Sequence, residues 1–271
     1  GFAGRFIDLL AVFALLAGTA TTFSVATPLM AEIISYLFNI ELSRTIINIF
    51  ILLVTCFVYT YSLLKGFKGI SLLANVCFYM FLALLAYVLF LCGETRYIIE
   101  TGFSSLGRMV QNFIELSTFT DPLRKTSFPQ NWTIYYWAYW MVWCVAAPFF
   151  IGNISRGRTI RQTIIGGYIF GVGSTLISFI ILGNYSMGMQ MAGTADFIAQ
   201  YAKDGDLYSM VVAIINTMPF SNIIMFLILL TMIAFYATSF DSIAYTASCY
   251  SYHTLDTEKQ PHKLIQLMWC L

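Results

Sequence analysis

Charged side chains are scarce in this 271-residue sequence, and their scarcity excludes several classes of protein. Aspartate, glutamate, lysine and arginine make up 10% of the residues, whereas 59% are hydrophobic and the mean hydropathy is +0.78. Soluble domains carry about 25% charged residues, so this composition indicates a polytopic membrane protein embedded in a lipid bilayer. The net charge of +1 provides no basic surface for nucleic acid, which we exclude as a partner.

Metal-binding and catalytic patterns are also missing. The six cysteines lie in apolar stretches at no metal-ligand spacing, which indicates small buried side chains rather than a disulfide framework. The two histidines, His253 and His262, have Asp256 and Glu258 between them, again at no spacing typical of a metal or nucleophile site. We therefore expect no enzyme, no bound metal and no cofactor.

The two ends of the sequence do not look like natural termini. The chain opens on Gly1 and ends at Leu271 within an apolar run, and it has no charged region followed by a cleavage site. We therefore expect residues 1–271 to be a fragment that forms a single transmembrane domain of a longer protein.

Apolar runs long enough to cross a membrane are present throughout. A helix needs about 20 apolar residues to cross about 30 Å of hydrocarbon. The sequence predicts six full spans, at 7–38, 45–64, 69–92, 133–153, 163–184 and 221–250. A seventh begins near Leu264. Segments 95–119 and 194–217 carry charges among their apolar residues and are predicted to stay outside, the first as an amphipathic helix on the membrane surface.

The distribution of basic residues predicts the topology. An N-terminus in the cytoplasm places eight lysines and arginines in short inner loops and six on the outer side, which is the direction that the positive-inside rule favours. Three of the inner residues, Arg156, Arg158 and Arg161, have two interpretations. In the first, they anchor the ends of the spans at the inner membrane surface. In the second, they form a cytoplasmic gate or bind a regulatory tail. The expected location is the cell membrane.

The stretch NWTIYYWAYWMVW, from residue 131, contains four tryptophans and three tyrosines. At 100° per residue, four of its rings lie within about 80° of Trp132. They are Tyr136, Tyr139, Trp140 and Trp143. An aromatic belt at the membrane interface is the simpler interpretation. However, the stripe rises about 16 Å, toward the midplane, and stacked rings in a desolvated cavity attract quaternary ammonium groups.

A proline follows this stretch. Pro148 has no amide hydrogen and cannot bond the carbonyl of Cys144, so the helix is predicted to kink or open there. A broken helix near a midplane cavity is typical of transporters, although simple proline kinks are common in membrane helices.

Two neighbouring motifs, WTIYYWAYWMVW and ISRGRTIRQ, resemble the betaine/choline/carnitine transporter family. The resemblance extends to GRFIDLLAVFALLAGTATTFS, 4–24, and FYATSFDSIAYTAS, 235–248, and so covers essentially the whole chain. It implies an all-α polytopic membrane protein with part of an inverted-repeat, sodium-symporter-like fold. The chain would then hold about spans five to eleven. The family also implies a possible homo-oligomer.

The resemblance assigns the substrate site to Tyr139, Trp140 and Trp143. Tyr139 departs from the tryptophan that the family has there. A tyrosine keeps a ring face and adds a hydroxyl group, which favours a substrate that can form a hydrogen bond. The implied substrate is a small quaternary-ammonium solute of the glycine betaine, choline or carnitine class.

The resemblance also implies a sodium site formed by the carbonyl of Phe235 with Thr238 and Ser239. Apart from the resemblance, the simpler interpretation is that these hydroxyl groups donate to the backbone carbonyl four residues earlier, as is common in membrane helices. The family's second ion position keeps Thr19, but its other hydroxyl is replaced by Leu15, so we assign no second ion there. The Thr-Ser pair favours sodium-coupled uptake. A sodium-independent exchanger, or a membrane sensor or scaffold that does not transport, remain alternatives.

Overall fold

The computed structural model describes residues 2–144, 146–252 and 261–271, and all regular secondary structure in these residues is helical. The prediction of an all-α polytopic protein is therefore confirmed. In chain order the α-helices are α1 (Phe2–Phe38), α2 (Arg44–Leu64), α3 (Phe67–Leu91), α4 (Thr95–Gln111), α5 (Phe113–Thr118), α6 (Tyr135–Trp143), α7 (Ala146–Ile154), α8 (Ile160–Gly167), α9 (Gly173–Ser178), α10 (Asn184–Met191), α11 (Phe197–Asp204), α12 (Leu207–Asn216), α13 (Ser221–Tyr250) and α14 (Lys263–Cys270).

Among the described residues, five helices are long and apolar enough to cross a membrane. They are Gly4–Phe38, Arg44–Leu64, Lys68–Leu91, Ile160–Met191 and Ser221–Tyr250. The fourth consists of α8, α9 and α10, joined without interruption by two π-helical turns, Tyr168–Val172 and Phe179–Gly183. These turns hold one extra residue each in the helical path, and the apolar pattern alone gives no sign of them.

The remaining expected span, 133–153, is not one continuous helix. A π-helical turn, Pro129–Ile134, leads into α6, which ends at Trp143, and α7 then begins at Ala146. The interruption lies at Cys144, whose carbonyl Pro148 cannot bond. That α6 and α7 together cross the membrane stays a prediction.

Helix α13 lies at the centre of the fold, packed against α1, α2, α3 and α14. Its first half joins one hydrophobic cluster through Ile224 and Met225, and its second half joins another through Ala237 and Phe240. The Phe240 ring stacks on Phe23 of α1, with centroids 4.0 Å apart. These contacts place α1 and α13 side by side.

The two segments predicted to lie outside the membrane are helical but broken. The first consists of α4 and α5. Gly102 lets α4 pack closely against the π-helical turn Phe179–Gly183, because a Cβ at Gly102 would lie 2.5 Å from Cγ2 of Ile180. The second consists of α11 and α12. Asp196 caps α11 by accepting from the backbone nitrogen of Ala199 at 3.0 Å, and this bond lowers the pKa of the Asp196 carboxyl.

An ion-pair cluster joins the second segment to the start of α2. Arg44 donates to Glu32 of α1 at 2.8 Å and to Asp206, at the start of α12, at 2.9 Å. Three elements therefore meet at one end of the bundle. The side of the membrane on which this end lies stays a prediction from the basic residues.

Candidate functional site

A cavity of about 380 Å³ lies between α1, α6, α7 and α13. Small-molecule sites commonly have volumes of about 300–1,000 Å³. The lining residues are Thr22 from α1, Tyr139, Trp140 and Trp143 from α6, Ala147 from α7, and Thr238, Ser239, Ser242, Ile243 and Thr246 from α13. The cavity thus combines an aromatic wall with a wall of hydroxyl groups, and none of these described lining residues is charged.

The aromatic wall consists of the three residues that the sequence assigned to the substrate. Tyr139 makes edge-to-face contacts with Trp140, at a centroid distance of 5.8 Å, and with Trp143, at 6.2 Å. The indole nitrogen of Trp143 is buried and has no hydrogen-bond partner among the described residues. Ring faces and edges at these angles form a corner into which a cationic group can fit.

Helix α1 approaches the aromatic wall closely because of Gly18. A Cβ at this position would lie 3.1 Å from Cγ1 of Val142 and 3.6 Å from Cε2 of Trp143. One turn later, the hydroxyl of Thr22 lies 2.6 Å from the phenol oxygen of Tyr139. The glycine therefore allows a direct hydrogen bond between α1 and α6 in the cavity wall.

The hydroxyl groups of α13 bond to the helix's own backbone. Thr238 donates to the carbonyls of Ala234 and Phe235 at 2.8 and 2.9 Å, and Ser239 donates to Phe235 at 3.1 Å. This is the ordinary arrangement of hydroxyl residues in membrane helices. Because only the protons are used, the hydroxyl oxygens of Thr238 and Ser239 still have lone pairs that face the cavity.

Phe235, the third predicted sodium residue, does not line this cavity. Its ring packs edge-on against Phe81 of α3, at a centroid distance of 5.3 Å, and borders a second cavity of about 380 Å³ between α3, α9 and α13. Thr238 lines both cavities. The Phe235 carbonyl contacts the other two predicted sodium residues, Thr238 and Ser239, through the hydrogen bonds that it accepts from their hydroxyl groups.

Thr19 does not line the cavity either. Its hydroxyl donates to the carbonyl of Leu15 at 2.8 Å, while the Leu15 side chain is buried in the second hydrophobic cluster. Neither residue lines the cavity, and the absence of a second ion stays a prediction.

The basic loop is exposed and well formed. Arg156, Arg158 and Arg161 are all exposed, and the chain turns at Gly157, with φ +80°. Thr159 then begins α8 with a capping box, in which its side chain and that of Gln162 each bond the other's backbone. An anchoring or gating role for the three arginines stays a prediction.

The structure describes one residue of the histidine pair. His253, Asp256 and Glu258 lie outside the described residues, and His262 begins α14 by accepting from the backbone nitrogen of Leu264 at 3.3 Å. In the described part of the chain, no group of three or more metal-ligand side chains lies together.

A buried carboxyl group lies behind the hydroxyl wall. Asp241 is fully buried and accepts from Ser62 of α2 at 2.9 Å and from Ser242 at 3.1 Å. Ser242 itself lines the cavity, so one hydroxyl links the cavity wall to this carboxyl group. Ionisable side chains inside membrane spans usually have such partners.

Thr22 and Thr246, which line the cavity, were not predicted from the sequence. Thr22 stands in a run of small and hydroxyl residues, TATT, where each threonine could equally bond its own helix. The available signal was Gly18, because a glycine in a membrane helix often marks close contact with a neighbouring helix.

The fold defines a multi-pass helical membrane protein, with a cavity of small-molecule size between its helices. The model of the family described as "BCCT, betaine/carnitine/choline family transporter" matches residues 1–271, and the chain belongs to that family. The family consists of transporters of the cell membrane and not of enzymes. The two expectations that the protein is not an enzyme and that it lies in the cell membrane are therefore confirmed.

Three relatives illustrate the similarity. The chain is 25% identical to a carnitine transporter of Acinetobacter baumannii, over 100% of this chain and 49% of the relative. It is 28% identical to the glycine betaine transporter OpuD of Bacillus subtilis (98% and 51%). It is 29% identical to a probable glycine betaine transporter of Desulfitobacterium hafniense (98% and 52%). The chain thus spans about half the length of the curated relatives it matches.

Proposed function

We propose that the full-length protein carries a quaternary-ammonium solute of the glycine betaine, choline or carnitine class across the cell membrane. It would act as a secondary transporter with alternating access, and the solute would bind in the cavity between α1, α6, α7 and α13. One observation carries this proposal. Tyr139, Trp140 and Trp143 line the same cavity as Thr238 and Ser239, which come from a distant part of the sequence.

The chemistry of the cavity suits an ammonium group without N–H donors. A trimethylammonium group has no N–H to donate to a carboxylate or carbonyl, whereas aromatic faces attract its charge. The described lining residues include no basic group that would repel it. Each ring contributes about 0.5–2 kcal/mol when water is excluded.

Sodium coupling is the finer part of the proposal. The hydroxyl oxygens of Thr238 and Ser239, with the carbonyl of Phe235, are the oxygen ligands that a hard cation prefers. Because Thr238 also borders the solute cavity, an ion bound to it would lie beside the solute, and each would then affect the affinity of the other. The rest of the ion site would come from parts of the protein beyond this chain.

Uptake by the full-length protein in proteoliposomes tests both parts. We expect accumulation of radiolabelled glycine betaine, choline or carnitine that requires a sodium gradient. Replacing Thr238 and Ser239 together by alanine is expected to raise the sodium concentration for half-maximal uptake. Equal uptake without sodium would identify an exchanger and contradict sodium coupling. Binding without any uptake would identify a sensor or scaffold and contradict transport.

A further inference from the structure

Two hydroxyl groups in the cavity wall form a hydrogen bond with each other. Thr22 of α1 and Tyr139 of α6 face each other with their oxygens 2.6 Å apart, and both residues line the cavity. Distance alone leaves the donor undecided, because either hydroxyl can donate or accept. The direction decides what the Tyr139 oxygen can offer to a bound solute.

The backbone of α1 settles the direction. The Thr22 hydroxyl also lies 2.8 Å from the carbonyl oxygen of Gly18, and a carbonyl can only accept. The single proton of Thr22 is therefore used on Gly18, and the bond to Tyr139 must be donated by the phenol. Tyr139 then has no proton left for a ligand. Its oxygen presents lone pairs alone, and the aligned chain of two hydrogen bonds strengthens it as an acceptor.

We infer that the Tyr139 oxygen, oriented by Thr22, accepts a hydrogen bond from a hydroxyl group of the solute. The site therefore favours a quaternary-ammonium alcohol such as choline over a solute whose polar group is only a carboxylate, such as glycine betaine. A carboxylate oxygen at the same place would meet another lone pair and be repelled. This inference rests on the proposed function, since it takes the aromatic wall as the site of the ammonium group.

A purely structural role for the pair makes a different prediction. If the bond between Thr22 and Tyr139 only holds α1 against α6, its loss would weaken the binding of all ammonium solutes alike. A role in recognition changes the ratio of their affinities. Tetramethylammonium carries the charge without any polar group, so the affinity ratio of choline to tetramethylammonium isolates the contribution of the hydroxyl.

The test is equilibrium binding to the purified full-length protein of choline, glycine betaine and tetramethylammonium. Tyr139→Phe keeps the ring and removes only the oxygen. We expect it to weaken choline binding by about 2- to 10-fold, the size of one neutral hydrogen bond, and to leave tetramethylammonium unchanged. Tyr136→Phe is the matched control, because Tyr136 lies on the same helix but does not line the cavity.

Thr22→Val gives the opposite test, because it removes the acceptor and frees the phenol proton of Tyr139. We expect the preference to shift toward glycine betaine, since the phenol can now donate to a carboxylate. Thr22→Ser keeps the hydroxyl and should keep the preference for choline. Thr21→Val is the control for loss of a threonine hydroxyl on α1, because Thr21 bonds the carbonyl of Ala17 at 2.8 Å and does not line the cavity.

The outcomes separate the inference from the proposed function. If tetramethylammonium binds but the affinity ratio of choline to tetramethylammonium is the same in the wild type and Tyr139→Phe, the inference is wrong and the proposed function stands. A Thr22→Val protein that keeps the wild-type preference for choline would also overturn it. If neither these three compounds nor carnitine binds to the wild type, both the inference and the proposed function fail.

Discussion

Two tryptophans of α6 are almost equally exposed but have different surroundings. Trp137 and Trp140 are 62% and 63% exposed. Trp140 lines the cavity, whereas Trp137 donates from its indole nitrogen to the carbonyl of Ser117 at 3.2 Å. Their substitution therefore compares a ring at the proposed site with a similar ring outside it.

We expect Trp140→Ala to weaken the binding of choline or glycine betaine by about 5- to 30-fold, because it removes one ring worth about 1–2 kcal/mol from the cation site. Trp137→Ala is expected to change the affinity by less than about 2-fold, within the spread of surface substitutions. Equilibrium binding to the full-length variants measures both. Equal losses in the two variants would indicate that the aromatic stretch acts only as an interfacial belt.

The residues that line the cavity could be predicted from the sequence where a side chain has few other possible interactions. Three closely spaced aromatic positions, matched to a family pattern, led to Tyr139, Trp140 and Trp143, which all line the cavity. Thr22 could not be found in this way. A threonine in an apolar helix satisfies its hydroxyl locally in most cases, so only the position of α6 reveals its contact with Tyr139.

At the scale of elements, α2 and α13 are joined by a buried polar contact. Ser62 donates to Asp241 at 2.9 Å, and both side chains are buried. We expect Ser62→Ala to lower the free energy of unfolding by about 1–3 kcal/mol, because it leaves a buried carboxyl oxygen without this donor. Thermal unfolding of the purified protein in detergent measures the change.

Ser186→Ala is the matched control for this contact. Ser186 is half-buried on α10, and its hydroxyl donates to the carbonyl of Gly183, in the preceding turn of the same helical path, at 3.0 Å. Its loss should change the stability by less than about 0.5 kcal/mol. A Ser62→Ala protein as stable as Ser186→Ala would contradict a stabilising role for the contact between α2 and α13.

The helices could be predicted from apolar length, but their irregularities could not. Five expected spans are continuous helices, because about 20 apolar residues leave few alternatives to a transmembrane helix. The interruption between α6 and α7 has a visible cause in Pro148. The π-helical turns at Tyr168–Val172 and Phe179–Gly183 have no comparable cause in the sequence, such as a proline.

At the scale of the whole molecule, the distribution of basic residues predicts which end faces the cytoplasm. The exposed loop that carries Arg156 and Arg158 should lie inside, and α4 should lie outside. Ser155→Cys should therefore resist an impermeant thiol reagent in intact cells and react after permeabilisation. Ser105→Cys, on an exposed position of α4, should react in intact cells.

The labelling needs a background without the exposed native thiol, so Cys144→Ser is introduced first. Labelling of Ser155→Cys by the external reagent in intact cells would reverse the proposed orientation. Because α6, α7 and the basic loop follow one another in the chain, the result also fixes which side of the membrane α7 approaches as it leaves the cavity.

The central claim is that the aromatic cavity recognises the positive charge of a quaternary ammonium group. Competition binding with choline and 3,3-dimethylbutanol tests it most directly, because a carbon atom replaces the nitrogen in an otherwise similar molecule. We expect choline to bind the full-length protein at least about tenfold more tightly than the neutral analogue, and Trp140→Ala to reduce this ratio. Apolar packing alone would bind the neutral molecule as well or better, so equal affinities for the two compounds would contradict the claim.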